Sequence, residues 1–372
     1  MKITLGEVGT YINGYAFKPS DWGTSGLPII RIQNLTNQNT IPNYFDGPYN
    51  SKFEVNKGDI LIAWSGSLGI HVWQKNKALL NQHIFRVEFN KCEIDKMYFY
   101  YAVKHNIHKM LHLTHGATMR HIIKSDFEQI IIPYPSLDVQ AKISKRLNYL
   151  EQNIINYRII LSKLDLLIKS RFDEFNKTNT HVKKLKLEDV CSSIVRGPFG
   201  SALKVENFVK KSDSSVKVYE QSNAIQKSAS IGCRYISKDH YESLKRFRCM
   251  PGDIIMSCSG TIGKLFILPS NAEMGIINQA LCKFTLDKYL LPEVFLLYME
   301  VLINNIETKG SGIKNISAVK FIKSLEIPVP SIELQKKLLI ELNQINKLKS
   351  DVQKSIDETQ LLMDSLMQEY FG

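Results

Sequence analysis

Two sets of side chains in this sequence have the chemistry to contact nucleic acid. The first is Tyr15, Lys18, Trp22, Arg31, Gln33, Asn34 and Arg120, joined by Trp64, Ser65 and Ser67 on a turn that ends at Gly69. The second is Arg196, Lys204, Gln221, Asn223 and Lys314, joined by Ser259, Thr261 and Lys264 on a turn of the same pattern. Arg and Lys can neutralise phosphates, and the amides and hydroxyls can hydrogen-bond phosphates and base edges. A solvated surface role suits any single one of these residues equally well.

Other chemistry is poorly supplied. No G-x-G-x-x-G loop is present, and Gly260-Thr261-Ile262-Gly263-Lys264-Leu265 lacks the spacing and the terminal hydroxyl of a phosphate loop. Its partner, Gly66-Ser67-Leu68-Gly69-Ile70, lacks even the lysine. Both read better as tight turns between strands, where glycine supplies the required dihedrals. His105, His108, His112 and His115 step by three, four and three and could share a helix face. A metal cluster is the sharper reading of that face, and a solvent- or phosphate-facing surface the plainer one. No acid, base and nucleophile set recurs in both halves of the chain, which argues against catalysis.

Composition sets the frame for these residues. The 372 residues carry a net charge of +12, with 44% apolar and 23% charged residues. That is ordinary globular composition with a basic bias suited to a polyanionic partner. Residues 1–178 hold 22 basic and 15 acidic residues, a net +7, which leaves +5 for the remainder. No apolar run approaches the roughly 18 residues of a spanning helix, and no leader pattern opens the chain. The six cysteines form no C-x-x-C pair. We therefore expect a reduced cytoplasmic protein without a structural metal.

An internal repeat organises the elements that must position the candidate residues. Gly58-Asp59-Ile60-Leu61 and its following Ser65-Gly66-Ser67-Leu68-Gly69 return as Gly252-Asp253-Ile254-Ile255 and Ser259-Gly260-Thr261-Ile262-Gly263. Asn81-Gln82 returns as Asn278-Gln279. Ile132-Pro133-Tyr134-Pro135-Ser136 with Gln140 returns as Ile327-Pro328-Val329-Pro330-Ser331 with Gln335. The scaffold positions match while the loops between them differ, as Tyr15 to Leu27 differs from Pro198 to Ser215. Each copy begins with short β-branched and aromatic runs between turn residues, followed by a helical stretch near 96–111 in the first copy. This predicts an α+β domain rich in antiparallel pairing, without a βαβ rhythm.

A long helix follows each domain. Ile143, Leu147, Leu150, Ile154, Tyr157, Leu161, Leu164 and Ile168 alternate steps of four and three, which is a coiled-coil seam. The spacing predicts a helix over 137–172. In the second copy Leu338, Leu342, Ile345, Leu348, Val352, Ile356, Leu362, Met363 and Leu366 form a broader stripe. The expected organisation is domain one at 1–135, helix one at 136–175, a linker at 176–184, domain two at 185–330 and helix two at 331–372. Packing the two seams together predicts two similar domains at opposite ends of an antiparallel two-helix coiled coil, with pseudo-two-fold internal symmetry.

The duplicated Gly-Asp-Ile motifs with their Ser-Gly-x-x-Gly turns, the Asn-Gln pairs and the Pro-x-Pro-Ser lead-ins to two long helices resemble the specificity (S) subunit of type I restriction–modification systems. The resemblance spans essentially the whole chain. It implies two target recognition domains, each reading one half of a split double-stranded DNA sequence. It further implies helices that set the half-site spacing and dock two methyltransferase subunits, with restriction/motor subunits added for cleavage. S-adenosylmethionine and ATP/Mg belong to those partner subunits, and this chain itself is implied to be non-catalytic and cofactor-free. The competing readings are a self-contained DNA-modifying or DNA-cutting enzyme, and a coiled-coil adaptor whose charge is incidental.

Overall fold

The computed structural model describes residues 1–37, 39–112, 121–179, 181–308 and 319–372. These form two compact units, Met1–Ser162 with Ser350–Gly372, and Lys163–Lys349.

Unit 1 opens with β1 (Lys2–Thr4), α1 (Leu5–Val8) and β2 (Thr10–Asn13). Then come β3 (Leu27–Ile30), α2 (Ile32–Thr36), β4 (Asn43–Phe45), β5 (Glu54–Val55), β6 (Ile60–Ala63), β7 (Gly69–Val72), β8 (Ala78–Leu80) and β9 (Ile84–Glu88). Helices α3 (Lys96–His112) and α4 (Lys124–Glu128) and strand β10 (Ile131–Pro133) complete the domain before α5 (Leu137–Thr178) begins. One four-stranded sheet has the order β2-β9-β6-β7 and a second the order β4-β3-β8-β5. The run Ile60–Ala63 is buried throughout because alternate side chains enter different cores, Ile60 and Ile62 one and Leu61 another.

Unit 2 repeats this plan. After β11 (Lys184–Lys186) and α6 (Leu187–Val190) come β12 (Cys191–Arg196), β13 (Ser215–Tyr219), α7 (Gln221–Ile225), β14 (Tyr235–Ser237) and α8 (Lys238–Ser243). They are followed by β15 (Arg248–Cys249), β16 (Ile254–Ser257), β17 (Leu265–Ile267), β18 (Gly275–Ile277), β19 (Leu281–Leu286), α9 (Pro292–Thr308), α10 (Val319–Ser324), β20 (Glu326–Pro328) and α11 (Ile332–Phe371). The sheets run β12-β19-β16-β17 and β14-β13-β18-β15, the same orders as in unit 1. Among the described residues these strands pair antiparallel except at β3·β8 and β13·β18, which are parallel, and an isolated parallel bridge joins Tyr15 to Asn81. Sequence rhythm did not reveal these two pairs, because several other strands and short helices lie between their members in the chain.

The repeated motifs are structural fasteners. Gly58 and Gly252 hold positive φ values of 92° and 89°, in the left-handed region that favours glycine. The neighbouring carboxylates close the turns, Asp59 accepting from the Asn56 N–H and Asp253 from the Met250 N–H, both at 2.8 Å. Asp253 lies further inside, beside the nearly buried Lys283 at 3.5 Å. The terminal strands then close each domain, Lys2 opposite Pro133 and Lys184 opposite Pro328. Gln140 and Gln335, both fully buried, fasten the long helices to these closures. Gln140 Oε1 accepts the Asp95 N–H at 3.0 Å while its Nε2 donates to Pro135 O at 2.8 Å. Gln335 accepts from Leu291 N–H at 2.8 Å and donates to Pro330 O and Tyr289 O.

The seams bury against both a helix and a domain. In unit 1, Leu147, Leu150 and Ile154 share a core with Ile356, Met363, Leu366 and Phe371, and with Leu5, Tyr98 and Ile132 of the domain. Arg146 donates to Tyr370 Oη at 3.1 Å, so the start of α5 meets the end of α11, antiparallel. In unit 2, Phe172 joins Leu338, Leu342 and Ile345, with Leu164 and Ile168 packed alongside. There Asp165 pairs with Lys349, while Arg171 and Phe175 line a cleft with Leu334 and Leu338. Ile143 and Leu161 are partly buried against the unit 1 core.

Several expectations need correction. Helix α5 runs to Thr178 rather than 172, because Phe172 and Phe175 extend its apolar stripe onto unit 2. The proposed linker 176–184 is thereby shortened at both ends, by the helix and by β11. Leu362 is 45% exposed, and the seam position belongs to its neighbour Met363, 4% exposed. Val352 is only half-buried. The stripe of α11 bends toward Met367 and Phe371, whose ring lies 5.2 Å from Tyr98. Fully burying such a side chain contributes about 1.5–3 kcal/mol, enough to decide which face turns inward.

Candidate nucleic-acid interface

In unit 1 the chain leaving β2 is held against the Asn81–Gln82 turn. The Tyr15 N–H donates to Leu80 O at 2.8 Å and the Gln82 N–H to Tyr15 O at 3.0 Å. A β-carbon at Gly14 would sit 2.2 Å from Asn81 O, so a glycine is required for this approach. Tyr15 is thereby presented to solvent, its ring supported edge-on by Phe17 at 4.9 Å. Further along, the Arg31 guanidinium lies 4.9 Å over the Trp22 ring. Lys18 and Gln33 are exposed.

His83 connects these groups. The Gln82 amide nitrogen faces its Nε2 at 3.2 Å, and its ring lies 5.5 Å from Trp64. Burial and the Arg31 charge lower its pKa, which favours the neutral ring. Tyr15, Gln82, His83, Arg31 and Trp22 thus form one connected polar and aromatic surface. His83 was missed in the sequence, although it is where the matched Asn-Gln pairs diverge, with Ala280 as its counterpart. Ser67 is exposed on the adjoining β6–β7 turn. Trp64 is largely committed inward, stacked on Phe85 at 5.6 Å and donating its indole N–H to Asn13 Oδ1 at 3.2 Å.

In unit 2, Gly197 makes the same close approach as Gly14, here to Asn278 O. Arg196 donates from Nε to Gln279 O at 3.2 Å. Lys204 is exposed and ion-paired with Glu206 at 3.5 Å. The β16–β17 turn bears Thr261 and Lys264 on its exposed side and Ser259 half-buried. Its interior is closed by Ser257, whose Oγ donates to Thr261 O at 2.6 Å and accepts the Lys264 N–H at 2.9 Å. Gln221 lies against this turn, close enough that a β-carbon on Gly260 would be 3.7 Å from its Oε1.

Three candidates are corrected by burial. Asn34 and Asn223 are 7% and 0% exposed and occupy equivalent positions. Asn34 Oδ1 accepts the Arg31 N–H at 3.0 Å, and Asn223 Oδ1 accepts the Glu220 N–H at 2.8 Å. Their amide nitrogens donate to loop carbonyls, Thr40 O in one case and Ser228 O and Ile231 O in the other. Both therefore fasten the first turn of a short helix instead of facing a ligand. Ser65, 3% exposed, is bridged through its backbone to His121. Arg120, Lys314 and His115 lie outside the described residues. Among the described residues, no group of three His, Cys, Asp or Glu could hold a metal ion.

The duplicated scaffold has a counterpart in known proteins. The type I restriction modification DNA specificity domain family matches residues 1–164 and again 179–359. This chain belongs to that family. Among specificity-domain relatives, the type I restriction enzyme EcoBI specificity subunit of Escherichia coli is 20% identical over 401 residues, covering 99% of this chain and 84% of that one. The MjaVIII specificity subunit of Methanocaldococcus jannaschii is 23% identical, covering 80% of this chain and 75% of its own. The crystal structure of the S subunit from M. genitalium superposes with a TM-score of 0.57 at 16% identity, over 100% of this chain and 96% of that one. A chain from a study of complex assembly and conformational transition of the type I R-M system gives 0.62 at 13% identity, over 100% and 97%. At these identities the likeness establishes the specificity-subunit fold. The side chains on its reading surfaces are this chain's own.

Proposed function

We propose that this specificity-domain chain is the DNA-reading subunit of a type I restriction–modification complex, with each domain reading one half of a split double-stranded sequence. One observation supports this above all: the same scaffold occurs twice, and its outward side chains are not equivalent. Tyr15, Trp22, Arg31 and His83 belong to one domain, with Tyr15 and Trp22 exposed, and Arg196, Thr261 and Lys264 to the other, with Thr261 and Lys264 exposed. Two domains of one fold with different donors, acceptors and rings read different base sequences.

The long helices supply the remaining role. Ile155, Ile159 and Ile160 in unit 1 and Leu166 and Leu167 in unit 2 stay exposed although they lie on a packed helix. Exposed apolar side chains of this kind suit a protein partner. We assign that face to two methyltransferase subunits, with restriction/motor subunits joining the assembly in the cytoplasm. S-adenosylmethionine and ATP/Mg act on those partners. This chain supplies recognition, and the helices set the spacing between half-sites.

The test is domain exchange in the assembled complex, with the methylated sequences mapped before and after. Replacing residues 1–135 by the corresponding domain of another specificity subunit changes one half-site and leaves the other intact. A simultaneous change in both halves refutes the modular reading, and methyl transfer by this chain alone refutes the non-catalytic one.

A further inference from the structure

The loop that follows β12 carries an apolar side chain that the fold does not use. Phe199 is 88% exposed, and Val205 in the same loop is 83% exposed. Both sit on a well-fastened stretch of chain. Gly197 is pressed onto the Asn278 carbonyl, where a β-carbon would stand 1.8 Å away. Pro198 is buried, and Leu203 is 7% exposed in a core with Val216, Val218 and Ile236. The Ala202 N–H donates to Phe199 O at 2.9 Å, the Lys204 N–H to Asn207 Oδ1 at 3.0 Å, and the Val209 N–H to Tyr235 O at 2.9 Å. The loop is anchored at its start, middle and end, and it holds the phenyl ring out into solvent.

The surroundings identify what that ring meets. In the chain Arg196 precedes it and Lys204, Lys210 and Lys211 follow it, Lys204 pairing with Glu206 and Lys211 with Glu273, while the Arg196 Nε donates to Gln279 O. An exposed apolar ring on a net basic loop suits a side chain that enters stacked bases while its neighbours hold phosphates. A protein-docking patch would instead be contiguous and apolar. The first domain has no equivalent: its matching loop begins with Tyr15, whose ring is already supported by Phe17 and Phe53.

We propose that Phe199 is a wedge that inserts between adjacent base pairs of the half-site read by the second domain, unstacking one step. This inference rests on the DNA-reading function proposed above. The specificity it adds is indirect, because a flexible pyrimidine–purine step opens more readily than a stiff one.

The test uses the complete complex with its methyltransferase subunits and a duplex containing the mapped split site. 2-Aminopurine is placed in turn at each position of both half-sites, apart from the bases that become methylated. Fluorescence rises next to the methylated base of each half-site, where methyl transfer turns a base out of the stack, and the wild-type complex raises it at one further step, in one half-site only. Phe199→Ala abolishes that rise and weakens binding by about tenfold or more, while Phe199→Trp retains both. Unchanged affinity and an unchanged fluorescence scan in Phe199→Ala overturn the wedge. Loss of methyltransferase subunits from the Phe199→Ala complex, seen by size-exclusion chromatography, also overturns it and assigns the ring to a protein contact. If the wild-type complex shows no preference for the split site, the underlying DNA-reading function fails instead. An unaltered melting temperature for the variant is expected, given the exposure of the ring.

Discussion

Gln140 joins the first domain to its long helix through a single buried side chain, so replacing it tests the architecture directly. In Gln140→Ala the Asp95 N–H loses its acceptor and Pro135 O loses its donor, bonds of 3.0 and 2.8 Å in a fully buried setting. A net hydrogen bond contributes about 1 kcal/mol, and a buried group left unsatisfied costs about 1–3 kcal/mol. Part of that cost is recovered if water enters the space vacated by the amide. We expect a loss of about 3 kcal/mol. All three tryptophans, Trp22, Trp64 and Trp73, lie in unit 1, so intrinsic fluorescence during urea unfolding reports the affected unit. In a unit of this size each kcal/mol moves the melting temperature by about 2–4 °C, so a fall of about 6–12 °C should accompany the urea shift. Gln335→Ala makes the same test in unit 2, read by hydrogen exchange at the Leu291 amide. A Gln140→Ala protein within about 0.5 kcal/mol of wild type would refute the fastener. It would mean that apolar packing of α5 alone sets the angle at which the helix leaves the domain.

Three other outcomes follow from the geometry. Asn34→Ala and Asn223→Ala should each cost about 1–2 kcal/mol by removing the first-turn fastening, measured by urea unfolding, and should leave the methylated sequence unchanged. Arg31→Ala should weaken binding and lower the slope of log K against log salt by about one ion, if Arg31 meets a phosphate. On the pH axis, burial depresses both His71 and His83, so their contribution is complete above the unfolded pKa of about 6.5. It is lost as pH falls through the lowered folded values, because protonation then favours the unfolded chain. Unit 1 should therefore weaken on acidification below about pH 6.5, and the double His→Gln variant should show a shallower decline in fluorescence-monitored unfolding.

Much of this protein was legible because its constraints occur twice. A Gly-Asp turn, an Asn-Gln turn and a buried Gln after Pro-x-Pro keep their spacing, since each closes backbone groups that cannot be left unpaired. The parallel pairs β3·β8 and β13·β18 were not legible, because local periodicity carries no information about which distant strand lies alongside. The extent of α5 was underestimated although Phe172 and Phe175 continue the four-and-three spacing past Ile168, because the seam was followed only as far as its aliphatic members. Leu362 and Met363 were indistinguishable by type, and only the packing of Tyr98 against Phe371 selects the face that turns inward.

The misassigned asparagines carry a sharper lesson. An amide that can pair with adenine can equally hold the first turn of a helix, since both uses need one donor and one acceptor in a plane. Residue type therefore could not separate Asn34 and Asn223 from Gln33 or Gln221. Position in the repeat could have, because Arg31 to Asn34 and Glu220 to Asn223 are equivalent, and the asparagine is the member that both copies retain. A side chain present at equivalent positions of two domains that read different sequences serves what the domains share, which is the fold. By the same reasoning His83 opposite Ala280, and Phe199 in the loop that replaces Ala16, belong to what each domain does alone. The surfaces that read DNA are then to be sought where the scaffold matches around a position and the residue at that position does not.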